Sequence, residues 1–159
     1  MPGAGMIPMN DARAVRRIRR QAWRFQSTFH TPLQRLDPFV DAILAAIQPM
    51  ERGKITIDAC AFESTHLKQL CERYSIHPNV TSGFCLEASG PLELAELLGA
   101  AFLDWTDFVF EPAPKSVVIY ADHDEYTTFF SMSHARLQRI AKVLEDLGCR
   151  RIEDYRRSL

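Results

Sequence analysis

Val117-Val118-Ile119-Tyr120-Ala121-Asp122-His123-Asp124-Glu125-Tyr126-Thr127-Thr128-Phe129-Phe130 is the stretch that decides the fold class. Val117 to Tyr120 puts four β-favouring residues together, and Tyr126 to Phe130 supplies a second run of aromatic and β-branched side chains. Between them, Asp122 to Glu125 crowd three carboxylates and one imidazole into four positions. Such a segment suits a solvated turn, because Asp side chains bond nearby backbone amides and like charges repel one another. Strand, acidic turn, strand is the expected unit. Downstream, Ser131 or Ser133 can cap a helix whose Leu137, Ile140, Leu144 and Leu147 share one face, and Gly148 stands at the preferred C′ position. Cys149 to Tyr155 then reads as a returning edge strand.

Working back from this unit, Phe108 to Phe110 reads as a strand and Pro91 as the start of a helix that buries Leu94, Leu97, Leu98 and Phe102. A short strand is expected at Phe84 to Leu86, a helix over Glu63 to Tyr74, and a strand around Ile55 to Asp58. Asp37-Pro38 looks like an N-cap followed by proline, opening a helix that ends at Pro49. The first helix is expected over Asp11 to Phe29, where Val15, Ile18, Ala22, Phe25 and Phe29 follow helical spacing. The predicted fold is α+β: a small, mostly antiparallel sheet with helices packed on one face, preceded by an N-terminal helical pair. The predicted division is a loose tail over 1–10 and one domain over 11–159, with the helical pair at 11–48 and the sheet-and-helix body at 54–159.

Composition narrows the function classes. About half of the residues are apolar (47%) and a quarter charged (25%), which suits an ordinary globular core. The formal net charge of −1 excludes a global electrostatic argument for nucleic acid or membrane. No apolar run is long enough to span a bilayer and no secretory signal is read at the start, so a cytoplasmic protein without membrane contact is expected. The four cysteines, Cys60, Cys71, Cys85 and Cys149, form no C-x-x-C pair and read as free thiols. Nucleophile-elbow, Walker A, dinucleotide-binding and zinc-protease motifs are missing, and no cofactor is expected.

Three features remain as candidate sites. The acidic turn, with Asp122, His123, Asp124, Glu125 and Tyr126, can present a negative knob to a basic partner. Alternatively, its carboxylates and imidazole suit a metal, provided that distant groups such as Asp58, Glu63, His66 or Glu111 converge on it. The second feature is the run Arg13, Arg16, Arg17, Arg20 and Arg24, which an uninterrupted helix would align as a stripe suited to phosphates, with Trp23 placed to stack on a base. A solvated surface accounts for either feature without a ligand, and the two could also meet each other within one chain or across a homodimer. The third is Glu63-x-x-His66, whose spacing would put both side chains on one helix face, although no second copy accompanies it. Cys85 beside Gly83 is a further isolated nucleophile candidate.

The quoted stretch from Val117 to Phe130, together with the helix ending at Leu147-Gly148 and its Tyr-containing tail, resembles the C-terminal part of a group of small bacterial proteins of unknown function. The resemblance covers the last third of the chain and implies a bacterial, cytoplasmic protein, and it brings no catalytic residues. In general shape the chain resembles small acidic-surfaced immunity proteins that neutralise bacterial toxins, an analogy at the level of fold. The leading expectation is a non-enzymatic protein that binds a basic-surfaced partner, with such an immunity protein as the concrete case. The alternatives are nucleic-acid binding through the five arginines and a metal-dependent hydrolase centred on Asp122, His123 and Asp124.

Overall fold

The computed structural model describes residues 5–158. Among them, in chain order, lie β1 (Met6–Asn10), α1 (Ala14–Arg20), β2 (Phe25–His30), α2 (Leu36–Ala46), β3 (Arg52–Cys60), α3 (Thr65–Arg73) and β4 (Phe84–Ala88). The second half adds α4 (Pro91–Leu103), β5 (Thr106–Ala113), β6 (Val118–Ala121), β7 (Tyr126–Ser131), α5 (His134–Asp146) and β8 (Arg151–Ile152). The strands form one eight-stranded sheet in the order β1-β4-β3-β5-β6-β7-β2-β8, and neighbouring strands run antiparallel. The α+β class expected from the sequence is the class observed.

Strand alternation divides the sheet into two unlike faces. Ile55, Ile57, Phe108, Phe110, Ile119, Phe129 and Phe29 point to one side and are fully buried beneath α2, α4 and α5, with Leu67 and Leu70 of α3 closing the same core. Phe102 of α4 reaches both Phe39 and Phe108 in edge-to-face contacts, with ring centroids 5.5 and 5.2 Å apart. Gly53 lies beneath this layer for a steric reason: a Cβ there would come within 2.4 Å of Phe110 and 2.9 Å of Leu94. The opposite face carries a smaller core, in which Val15 and Ile18 of α1 pack on Val109, Val118, Tyr120 and Phe130.

The C-terminal unit forms as the sequence reads. Ser133 caps α5 by accepting the Arg136 amide at 3.3 Å, and Gly148 takes φ +92°, the left-handed conformation that ends a helix. β8 is shorter than expected and stops at Ile152. The N-terminal third requires correction. Of the tail expected over 1–10, residues 1–4 lie outside the described residues and Met6–Asn10 is the edge strand β1, while the helix expected over Asp11 to Phe29 is only the seven-residue α1. Phe25 to His30 is β2, inserted between β7 and β8, so no helical pair precedes the sheet. The spacing of Phe25 and Phe29 fits either period, and pairing with β7 over six residues selects the strand. With α1 on the opposite side, helices occupy both faces.

Candidate functional site

The helical face carries a groove of about 880 Å³ between α2, α3 and α4. Its apolar lining comes from Val40, Leu70, Ala95, Ala100 and Leu103. Along α4 the small residues Ala95, Gly99 and Ala100 line it, Ala95 and Gly99 at the i, i+4 spacing of one helix face. A Cβ added at Gly99 would meet no atom within 4 Å. Four carboxylates also line the groove: Asp37 and Asp41 from α2, Glu72 from α3 and Glu96 from α4. Glu96 is engaged, accepting the Tyr74 hydroxyl at 3.0 Å and pairing with Arg73 at 3.5 Å. Among the described residues, Asp37, Asp41 and Glu72 form no ion pair. The groove therefore joins a greasy lining to an excess of negative charge.

Its geometry depends on Asp104, the residue that ends α4. The Asp104 carboxylate is buried, 2% exposed, and accepts the backbone amides of His66 at 2.9 Å and Leu67 at 2.7 Å. These are orphan donors of the first turn of α3. Ser64, the residue at the cap position, makes no side-chain cap bond, so a side chain from α4 does the capping. The negative charge also suits the positive end of the α3 dipole. The His66 ring, half exposed, bonds the same carboxylate at 2.8 Å. One acid thus fixes α3 against α4, and with it the two walls of the groove.

The acidic turn is built differently from a free knob. Asp122 accepts the amides of Asp124 at 3.0 Å and Tyr126 at 3.1 Å, the self-bonding that favours Asp in turns. Its other oxygen takes Arg157 at 2.6 Å, and both side chains are about nine-tenths buried, at 11% and 9% exposed. His123 bonds Asp107 at 2.8 Å through both its ring Nδ1 and its amide. The Asp107 hydrogen bond and charge hold the His123 imidazole above its ordinary value of 6.5. Glu125, in the left-handed region at φ 67°, reaches His30 at 3.0 Å, and Tyr126 packs edge-on against Tyr155. Asp124, 76% exposed, is the acid that points outward. The turn meets an arginine within the chain, but it is Arg157; among the described residues the N-terminal run makes no ion pair with the turn.

Arg157 is the functional-looking residue that the sequence does not single out. It stacks on Tyr120 at 4.6 Å, donates Nε–H to Thr128 at 3.0 Å, and its backbone is tied to Gln26. Tyr120 in turn donates to Asp58 at 2.5 Å, and burial followed by this bond pushes the phenol well above its usual range. Every partner in this network is occupied by another side chain, which suits a role in holding the C-terminal segment across the sheet.

The N-terminal arginines do not form one stripe. Arg13 precedes α1 and Arg24 follows it, lying over the Phe25 ring at 5.5 Å, while Arg17 pairs with Asp11 at 2.9 Å. Arg16 and Arg20 are exposed on α1. Glu63 stands before the start of α3 and lies 3.8 Å from Lys68, so it does not share a helix face with His66. Among the described residues, no three His, Cys, Asp or Glu side chains form a metal-ligating group, and Asp58, His66 and Glu111 each have their own partners away from the turn. Cys85 is fully buried and bonded to Thr56 and Gly83, and among the described residues no histidine hydrogen-bonds to it. Among the described residues, no helix is long and apolar enough to cross a membrane. In comparisons with known proteins, the chain matches no family model, no curated protein and no solved structure.

Proposed function

We propose that the chain is a non-enzymatic protein-binding protein whose partner inserts a basic, amphipathic segment into the groove between α2, α3 and α4. The observation that carries the proposal is the combination of an apolar lining with Asp37, Asp41 and Glu72 left without cationic partners among the described residues. Helix-in-groove recognition uses this chemistry, with apolar anchors buried in the hollow and charges complementary at its rim. An immunity protein that neutralises a basic-surfaced toxin in a bacterial cytoplasm is the concrete case. The contact surface differs from the one that the sequence points to. Four of the five turn residues, Asp122, His123, Glu125 and Tyr126, are committed within the chain, which leaves Asp124 as an auxiliary contact. The chain's own α1 is a poor occupant despite its arginines, because Val15 and Ile18 are already buried.

Calorimetry with a synthetic Leu/Lys amphipathic helical peptide tests the groove. Binding is expected for the native chain and for Asp124→Lys, and its loss for the double substitution Asp41→Lys with Glu72→Lys. Equal affinity in that double variant, or no binding to the native chain, would contradict the proposal.

A further inference from the structure

We propose that a second surface, formed by the end of α1, the linker into β2 and the C-terminal residues, binds single-stranded nucleic acid through its phosphates. Two hollows, of about 320 and 220 Å³, adjoin there and share Gln26 and Arg156 in their linings. Five arginines line the pair: Arg19, Arg24, Arg151, Arg156 and Arg157. No Asp or Glu lines either hollow among the described residues. In a chain whose formal net charge is −1, that is a pronounced local segregation of charge. Two of the five are offset in part, since Arg157 is met by Asp122 at 2.6 Å and Arg151 lies 3.8 Å from Glu145. Arg19, Arg24 and Arg156 make no ion pair among the described residues.

The guanidinium fork matches phosphate oxygens, and closely spaced forks fit a ligand with repeated anions better than they fit one carboxylate. The hollows also carry aromatic walls, Trp23 in the first and Phe25 in the second. Aromatic rings interleaved with cations are how proteins hold the bases and backbone of a single strand. A duplex fits less well, because α1 has seven residues and lies with Val15 and Ile18 buried on the sheet, so this helix does not stand clear to enter a major groove. The C-terminal segment is held in place beforehand: the Arg157 amide donates to Gln26 at 2.7 Å and the Gln26 amide donates back at 3.1 Å. Fixed donors lose less freedom on binding than mobile ones. Of the five arginines in the N-terminal run, only Arg24 lines these hollows, while Arg16 and Arg20 are exposed on the same short helix as Arg19. The surface is lined by α1, β2, α5 and the C-terminal residues and shares no residue with the groove, so it stands or falls independently of the protein partner.

Fluorescence anisotropy of a labelled oligothymidylate with the full chain provides the test. Three phosphates contacted by Arg19, Arg24 and Arg156 predict a roughly 20-fold loss of affinity between about 50 and 200 mM salt. Arg24→Glu with Arg156→Glu is expected to weaken binding at least about tenfold, and the neutral pair Arg24→Gln with Arg156→Gln to weaken it less. Asp41→Lys with Glu72→Lys should not weaken it. In a Trp105→Phe background Trp23 is the remaining tryptophan, and its emission should be quenched on binding. Absence of binding at low salt would overturn the proposal. So would unchanged affinity in the Glu variant, equal affinity for a duplex of the same length, or displacement by polyglutamate as effective as by unlabelled oligonucleotide.

Discussion

Replacing Asp104 by Ala is expected to loosen the helical face by a predictable amount. The carboxylate accepts two backbone donors of α3, and the environments of those donors differ. Leu67 is 1% exposed, so its amide would be left without a partner and without easy access to water. An orphaned buried donor costs about 1–3 kcal/mol. His66 is exposed, and water can replace part of its bond. Loss of a helix cap typically costs about 1 kcal/mol, part of which is already counted in the orphaned amide. With that overlap removed the sum is about 1.5–3.5 kcal/mol. For a chain of this size that lowers the melting temperature by roughly 3–14 °C. Asp104→Asn should lose less, since an amide oxygen still accepts, though without charge. His66→Ala should lose little, because the ring is half exposed and its ion pair is screened. Urea denaturation followed by circular dichroism gives the free energies directly. A loss below about 1 kcal/mol for Asp104→Ala would refute the idea that this acid is the principal cap of α3.

Three further substitutions probe other parts of the account. Arg157→Ala leaves Asp122 about nine-tenths buried without its cation, and should cost about 3–5 kcal/mol in urea denaturation, with Arg157→Lys recovering part of it. The two glycines should respond with opposite signs: Gly53→Ala loses about 1–3 kcal/mol by collision with Phe110, whereas Gly99→Ala gains about 0.5–1 kcal/mol because its space is open, both read by thermal melting. The His123–Asp107 pair should make stability depend on pH. The folded-state value of His123 is raised, so the charged pair stabilises fully below 6.5 and its contribution fades as pH rises through the raised value. The melting-temperature gap between the native chain and Asp107→Asn should narrow as pH rises from 6.5 through the raised value, to the part due to the His123 amide bond, and NMR titration should find His123 nearer its ordinary value in the variant.

Local signals carried the C-terminal unit. Val117 to Phe130, the Ser133 cap and Gly148 each act over a few residues, and each is found where the sequence places it, apart from one-residue shifts at strand ends. The N-terminal third was misread because its signal is ambiguous at short range. Phe25 and Phe29 satisfy a helical period and a strand period alike, and the partner that decides between them, β7, lies about a hundred residues away. The same separation hides the site chemistry. Nothing next to Arg157 marks it as the partner of Asp122, so the acidic turn reads as free charge when its Asp122 is already paired with a buried cation. The groove shows the opposite failure. Its three helices are legible one by one, but the convergence of Asp41, Glu72 and the small residues of α4 is a product of tertiary packing. Asp104 could have been suspected only from its place between an amphipathic helix and a strand, where an acid has no evident local duty.

Site-specific photo-crosslinking decides most directly whether the groove is the working surface. Benzoylphenylalanine in place of Gln69, which lines the groove, is to be compared with the same group in place of Asp124 at the tip of the turn, each in cells of the source organism, with mass spectrometry of the adducts. The account predicts a covalent adduct from position 69 to a partner segment rich in Lys or Arg and flanked by apolar residues, and a weaker adduct or none from position 124. Adducts from position 124 with none from position 69 would contradict it.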